Sequence, residues 1–330
     1  MKVLIDCHVP FSLAHGGMQT QIEQTRARLR ELGVDADYLH WWDETQRPDV
    51  IHFFGVPSGN YAGHARTKGV RFLLNNLFTA TCNRSDLALT LQSVVTRIVQ
   101  SLPLPAPPAW KTYREADHHV VSLQAEKVVL ERVYGVPGDR VTCGPYGLSD
   151  AFLKAGTGDR SEPHLICTGT ITGRKRMVEL ALLAQRARVP ILFVGKPYSE
   201  AEPYWKAFRK LVDGQHVQYL PHTGSESQMV ELLQRSRGFV LMSRFENWCL
   251  SAHEAAACGL PLLLPDQKWV RERFGSQVCC FAGRPDRDAE ILRQFYDECP
   301  KLAAPKVRLY SWLEVAQDLK SVYERLLKTS

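Results

Sequence analysis

The sequence predicts an α/β chain built as two Rossmann-like domains of parallel sheet. Three observations carry this: short β-rich runs alternate with amphipathic helical stretches, the alternation restarts near Asp150, and 330 residues with 45% hydrophobic content suffice for two ordinary cores. In the first half the strands are read at Val3 to Asp6, Val50 to Phe54, Val70 to Leu74, His119 to Ser122 and Val141 to Cys143. Helices fill the gaps, most clearly Met18 to Leu32, with Ile22, Leu29 and Leu32 on one side. The polar, glycine-containing segment Lys154 to Glu162 reads as a linker. Strands follow at His164 to Thr168, Ile191 to Gly195, His216 to Leu220, Phe239 to Ser243, Leu262 to Leu264 and Val278 to Phe281. Ser311 to Leu327 sets Trp312, Val315, Leu319, Val322 and Leu326 at helical spacing and closes the chain as a packed helix. The expected boundaries are 1–152, 153–310 and 311–330. Open parallel sheets bind ligands at the C-terminal ends of their strands, so two such domains are expected to share a central cleft.

Composition excludes several classes. The nine cysteines are odd in number and scattered, and none forms a CxxC pair of metal or redox spacing, which suits a reducing cytoplasm. Asp6 and His8 interrupt the apolar stretch after Lys2, and no run approaches the ~18 apolar residues of a membrane span. A soluble, cytoplasmic protein is expected, with peripheral contact at a membrane surface left open. A net charge of +6 is compatible with an anionic substrate, a membrane surface or nucleic acid and selects none of them.

The most informative stretch is Phe245 to Asp266, FENWCLSAHEAAACGLPLLLPD. Ser251 and Glu254 have the spacing of a capping box, which starts a helix near Ala252. Gly259 tolerates a left-handed cap, and Pro261 ends the helix before the strand at Leu262. Free amides at Leu250 to His253, reinforced by the helix dipole, form an anion site whose natural occupant is a diphosphate. The plainer reading makes Glu254 a cap and Glu246 a solvated loop charge.

Two other turns point the same way. After the strand ending CTGT come Ile171, Thr172 and Gly173-Arg174-Lys175-Arg176, three cations in one turn where a helix begins. Cations at a helix N-terminus oppose its dipole, so a compensating anion is expected. At the other sheet, Gly16-Gly17 stands between the first strand and its helix and permits close approach of a phosphate, though a simple turn is an equal reading.

Glu246 and Glu254, seven residues between them, with the small-residue helix and Gly-x-Pro turn that follow, resemble the signature of retaining glycosyltransferases of the GT-B fold, family 4. The resemblance implies that Glu246 binds hydroxyls of the donor sugar, Glu254 the ribose of the nucleotide, and the amides of Trp248, Cys249, Leu250 and Ser251 sugar and phosphate oxygens. The family's Gly-Arg pair and following lysine are matched by Gly169 and Lys175; Thr170 stands in the arginine's place, and Arg174 or Arg176 would substitute. Glu246, Lys175 and Arg174 form the implied catalytic set. Gly16 and Gly17 resemble the N-terminal glycine loop. Weaker likenesses in Pro48 to His52, Glu115 to Lys127, Tyr134 to Gly147, Gly195-Lys196 and Gly238 to Ser243 spread the resemblance over most of the chain. In that fold the terminal helix crosses back onto the first domain.

Departures matter as well. Trp248-Cys249 replaces the usual Phe-Gly pair, and Leu74-Asn75-Asn76 stands where a histidine often reaches the sugar. An amide is no general acid or base, so Asn75 is a sugar-binding candidate or a polar cap on a strand end. His15, beside Gly16, is the acceptor-side candidate. The Asp-x-Asp triplets Asp35/Asp37 and Asp286/Asp288 sit in polar connections and read as solvated turn charges, so no metal site and no cofactor beyond a nucleotide-diphosphate sugar are expected. Trp41-Trp42 reads as a stacking surface or as packing. Asn83 to Lys111 holds a helix bearing Leu87, Leu91, Val94, Val95 and Ile98, then the run LPLPAPP; it reads as an acceptor-binding lid or, more plainly, a helix with a semi-rigid connector.

The resulting expectation is a metal-independent, retaining hexosyltransferase that uses a UDP- or GDP-type donor and a hydroxyl acceptor on a glycan, lipid or other small molecule. A nucleic-acid-base glycosyltransferase, a sugar-nucleotide epimerase or phosphorylase of the same architecture, and a two-lobed sugar-binding protein are the alternatives. Salt-sensitive DNA retention separates the first of these, and turnover the last. Donor base, sugar, acceptor and oligomeric state are not legible in the residues.

Overall fold

The computed structural model describes every residue except 58, 77–79, 102–107, 223 and 329–330. The LPLPAPP run thus lies outside the described residues, save for Pro108, which opens the helix Pro108–Glu115. The chain forms two compact units, Met1–Gly147 with Trp312–Ser330, and Leu148–Ser311.

The first unit is a six-stranded sheet: β1 (Lys2–Cys7), β2 (Asp35–Tyr38), β3 (Val50–Phe54), β4 (Arg71–Asn75), β5 (His118–Val121) and β6 (Val141–Cys143), in the order β2-β1-β3-β4-β5-β6. Every pairing is parallel, with Val3 opposite Val50 and Leu73 opposite His118. Helices cover both faces of such a sheet, which is why β3 is buried along its whole length and reads as an unbroken apolar run around His52.

The terminal helix Trp312–Lys328 belongs to this unit. It packs against the helix Gly17–Glu31, and its Lys320 Nζ donates to Leu32 O at 3.0 Å. Tyr323 carries its hydroxyl to within 2.7 Å of His52 Nδ1 inside the core. Burial pushes His52 down to about 3, so the imidazole is neutral and this bond joins two neutral groups.

The second unit repeats the plan with β7 (Leu165–Thr168), β8 (Ile191–Gly195), β9 (Val217–Pro221), β10 (Phe239–Val240), β11 (Leu262–Pro265) and β12 (Cys279–Phe281), ordered β12-β11-β10-β7-β8-β9 and parallel throughout. Among the described residues no helix is long and apolar enough to cross a membrane.

Four expectations are corrected. Asp35 and Asp37 lie on the edge strand β2 rather than in a connection, and Asp37 pairs with Arg26 at 2.9 Å. Asp286 and Asp288 occupy the first turn of the helix Pro285–Glu298, where buried Asp288 accepts the amides of Ala282 (2.7 Å) and Gly283 (3.1 Å). The Lys154 to Glu162 segment is no free linker: Arg160 donates to the carbonyls of Cys299, Leu302 and Gly259, and a methyl on Gly158 would stand 2.1 Å from Gln234 O. The strand at Phe239 ends at Val240, and residues 241–245 form a loop.

Candidate active site

At the end of β7 the chain turns through Gly169, whose φ of +144° suits only glycine. A side chain is also excluded at Gly195, at the end of β8, because a Cβ there would sit 1.9 Å from Gly169 O. Thr172 O accepts the amides of Lys175 (3.0 Å) and Arg176 (3.1 Å), tightening the cationic turn. Tyr204 braces it from behind: its hydroxyl accepts from Val178 N–H at 2.9 Å and donates to Glu179 at 2.8 Å.

This turn meets the loop after β10. Arg244 N–H donates to Arg174 O at 2.8 Å, and Arg174 Nη1 reaches Phe245 O at 3.0 Å. Lys175 Nζ stands 2.7 Å, and Arg174 Nη1 2.8 Å, from the same oxygen, Oε1 of Glu246. Burial alone would drive the Glu246 carboxyl up, but the Lys175 and Arg174 charges hold it below the ordinary carboxylate range. Burial pulls Lys175 down in turn, and Glu246 outweighs it, so the ammonium stays firmly charged. Arg176, with φ of 55°, turns instead to Glu179 at 3.5 Å, so Arg174 is the arginine that accompanies Lys175 at Glu246.

The second glutamate follows from the helix Leu250–Ala257. The expected capping box does not form. Cys249 takes the N-cap position in a left-handed conformation, with φ of 60°, and the helix begins at Leu250, which puts Ser251 inside its first turn. Cys249 O accepts Ala252 N–H at 3.1 Å and His253 N–H at 3.4 Å, so those two amides are taken, while Leu250 and Ser251 keep amides without an acceptor among the described residues. Glu254 is half-buried and, among those residues, has no hydrogen-bond donor on its carboxylate. Burial, and then the charge of Glu226, push it up to about 7 against the opposing pull of Lys175.

Trp248 does not offer its ring to a ligand. The indole is buried and stacks on His253, centroids 4.7 Å apart and planes 8° apart, with the Arg273 guanidinium 4.3 Å from its centroid. His253 is held neutral, near 4, by burial and donates Nδ1–H to Cys249 O at 3.0 Å, which fixes the turn. The bulky pair Trp248-Cys249 therefore builds the base of the loop.

In the first unit Gly16, with φ of 132°, forms the N-cap of the helix that starts at Gly17. His15 is half-buried beside it. Asn75 is only 2% exposed at the end of β4, its Oδ1 3.5 Å from Gln21 Nε2 and its Nδ2 without a partner among the described residues, on a cavity of about 20 Å³ that Val315 and Leu319 help line. It does not present an amide to the surface. Trp42 is 97% exposed; Trp41 packs edge-on to Tyr61 and donates to Asp6 at 3.3 Å. Among the described residues no group of three or more His, Cys, Asp or Glu could hold a metal ion.

Sequence reasoning missed Tyr204, Arg244 and Gln267. Gln267 Nε2 donates to Ser243 O (3.1 Å) and Arg244 O (2.6 Å), tying the loop after β10 to that after β11. Arg244 and Gln267 each directly follow a predicted strand or its closing turn, which is the available signal.

Residues 158–303 match the family described as glycosyl transferases group 1. The chain matches none of the curated proteins by sequence. Among solved structures it is similar to the sucrose-phosphate synthase of Thermosynechococcus elongatus, at 14% identity and a TM-score of 0.69, over 100% of both chains. The lipopolysaccharide outer core galactosyltransferase WaaB, in its apo form, matches at 16% identity and 0.63, over 98% of this chain and 100% of that one. HepE of Anabaena, solved in complex with UDP, matches at 12% identity and 0.55, over 100% and 98%. The chain thus has the two-domain GT-B glycosyltransferase fold, and its second unit carries the match to glycosyl transferases group 1.

Proposed function

We propose that the protein is a retaining glycosyltransferase of the family 4 type that transfers a sugar from a nucleoside diphosphate donor to a hydroxyl acceptor. The observation that carries this reading is the ion triad in which buried Lys175 and exposed Arg174 share one oxygen of buried Glu246. Two cations against one carboxylate leave one net positive charge beside the amides of Leu250 and Ser251, a setting matched to a diphosphate. Glu254, eight residues beyond Glu246 and unpartnered among the described residues, is placed to accept ribose hydroxyls. HepE, a structural neighbour, is solved with UDP and with UDP and glucose, which supports a UDP-type donor.

In the reaction the bond from the sugar's anomeric carbon to the diphosphate breaks, with the electron pair leaving on the phosphate. The acceptor oxygen bonds to that carbon on the same face, and its proton passes to the departing phosphate oxygen. Lys175 and Arg174 offset the charge that develops there, a preorganised electrostatic role that these cations fill without a metal. Glu246 holds both cations in place and meets the sugar hydroxyls. The acceptor is assigned to the first unit, with His15 and the Gly16-Gly17 turn as its candidates.

The test is incubation with UDP- and GDP-sugars and a panel of glycan, lipid and small hydroxyl acceptors, in EDTA, with product anomers read by proton NMR. Transfer with the donor's anomeric configuration retained is expected. Inverted product, a dependence on added metal, or epimerised donor without transfer would contradict the reading.

A further inference from the structure

Beside the cationic turn, the C-terminal ends of β10, β11 and β12 enclose a second cavity of about 330 Å³ that the donor reading leaves unused. Its wall includes Arg176, Arg244, exposed Phe245, Asp266 and Gln267. The charges on this wall do not cancel. Arg176 faces Glu179, and Asp266 is held by Arg271 through both carboxylate oxygens at 2.7 and 2.8 Å. Arg244 is exposed and, among the described residues, has no carboxylate within 4.0 Å.

Its backbone is nonetheless fixed on both sides, the N–H on Arg174 O and the C=O on Gln267 Nε2. Arg174 is also a ligand of Glu246, so this lone guanidinium is mounted on the backbone that builds the triad. A cation with no acidic partner among the described residues, on a loop fixed by its backbone over a cavity of small-ligand size, is the arrangement that recognises a carboxylate or phosphate by a forked pair of hydrogen bonds. Phe245 adds an apolar face of the kind against which a sugar ring packs.

We infer that this cavity is a subsite for an anionic group, a carboxylate or phosphate carried by the transferred sugar or by the acceptor, with Arg244 as its specificity residue. The inference rests on the donor reading for the identity of the sugar, but the charge preference stands on the cavity alone. Isothermal titration of wild type, Arg244→Ala and Arg244→Lys decides it, with melting temperature as the check on folding. One pair of probes is glucose and glucose 6-phosphate, titrated with and without saturating UDP; the other is UDP-glucose and UDP-glucuronate.

In at least one pair the anionic probe should bind wild type ten-fold or more tightly than its neutral counterpart, with the preference abolished in Arg244→Ala and partly kept in Arg244→Lys. A preference in the first pair assigns the anion to the acceptor, and in the second to the donor sugar. No preference in either pair, or one that survives in Arg244→Ala, overturns the inference. Absence of any UDP binding would count against the donor reading, while glucose 6-phosphate without UDP would still decide the subsite.

Discussion

Lys175 Nζ lies 2.7 Å from Glu246 Oε1 with both side chains almost wholly buried, so one ion pair joins the turn after β7 to the loop after β10. Removing one member of a buried pair strands the other charge, at a cost typically about 3–5 kcal/mol. The pair therefore carries structural weight of its own, and substitutions that test its proposed role in transfer must separate stability from activity.

Glu246→Gln keeps shape and hydrogen-bonding capacity while removing the charge. The loss of a charge-assisted contact worth about 1.5–3 kcal/mol should lower kcat/KM for transfer by roughly ten- to a hundred-fold. Calorimetry should show a lowered Tm as well, because Lys175 then retains no carboxylate at 2.7 Å. Unchanged kcat/KM would remove Glu246 from the site.

Glu254 makes the site sensitive to pH. Its carboxyl is raised from 4.5 to about 7, so between those values the folded chain holds a proton that the unfolded chain has released. Stability from this group is full below about 4.5 and falls as pH rises towards 7. Wild type should lose Tm relative to Glu254→Gln across that window. Ribose hydroxyls that donate to the ionised carboxylate should reverse the preference, so nucleotide affinity should rise through pH 7 with proton release. Parallel pH profiles of the two proteins would contradict this.

Gly195→Ala tests the close approach of the strand ends. The new methyl would meet Gly169 O at 1.9 Å, so the turn that positions Lys175 must shift. A loss of about 1–3 kcal/mol in denaturant unfolding is expected, together with weakened nucleotide binding. Stability within about 0.5 kcal/mol of wild type would show that the turn yields freely.

Tyr323→Phe tests the terminal helix on the first unit. It removes the hydroxyl 2.7 Å from buried His52 Nδ1, leaving a polar atom unsatisfied at a cost of about 1–3 kcal/mol. The same loss should appear with and without nucleotide. A purely nucleotide-dependent effect would refute this structural role.

Much of the fold was legible because buried parallel strands read as unbroken apolar runs, as Val50 to Phe54 and Ile191 to Gly195 do. Asp35–Tyr38 was missed because it is an edge strand, half exposed, and its two aspartates imitate a turn. Glu246, Glu254 and Lys175 stand out as candidates by their spacing and by the family resemblance, but spacing misled at Ser251. The hydrogen-bonding demand of the first turn is met by Cys249 O with the backbone left-handed, a conformation that sequence gives little reason to expect of cysteine. Asn75 stands where the family often has a sugar-reaching histidine, which left a sugar-binding candidate and a polar strand-end cap as open readings; Gln21, 54 positions away, and the terminal helix leave it buried at the strand end. Arg244 and Gln267 follow predicted strands, but position alone does not reveal their contacts, which arise only where loops from different strands meet.

The most direct test is isothermal titration of UDP, GDP and ADP into wild type and Lys175→Met, which preserves the stem of the side chain and deletes its charge. One nucleoside diphosphate should bind wild type and lose ten-fold or more in affinity in the variant, with the loss shrinking as salt is raised. Equal affinity for the two proteins, or no binding of any nucleotide to wild type, would contradict the assignment of Lys175 and Glu246 to a diphosphate-sugar site.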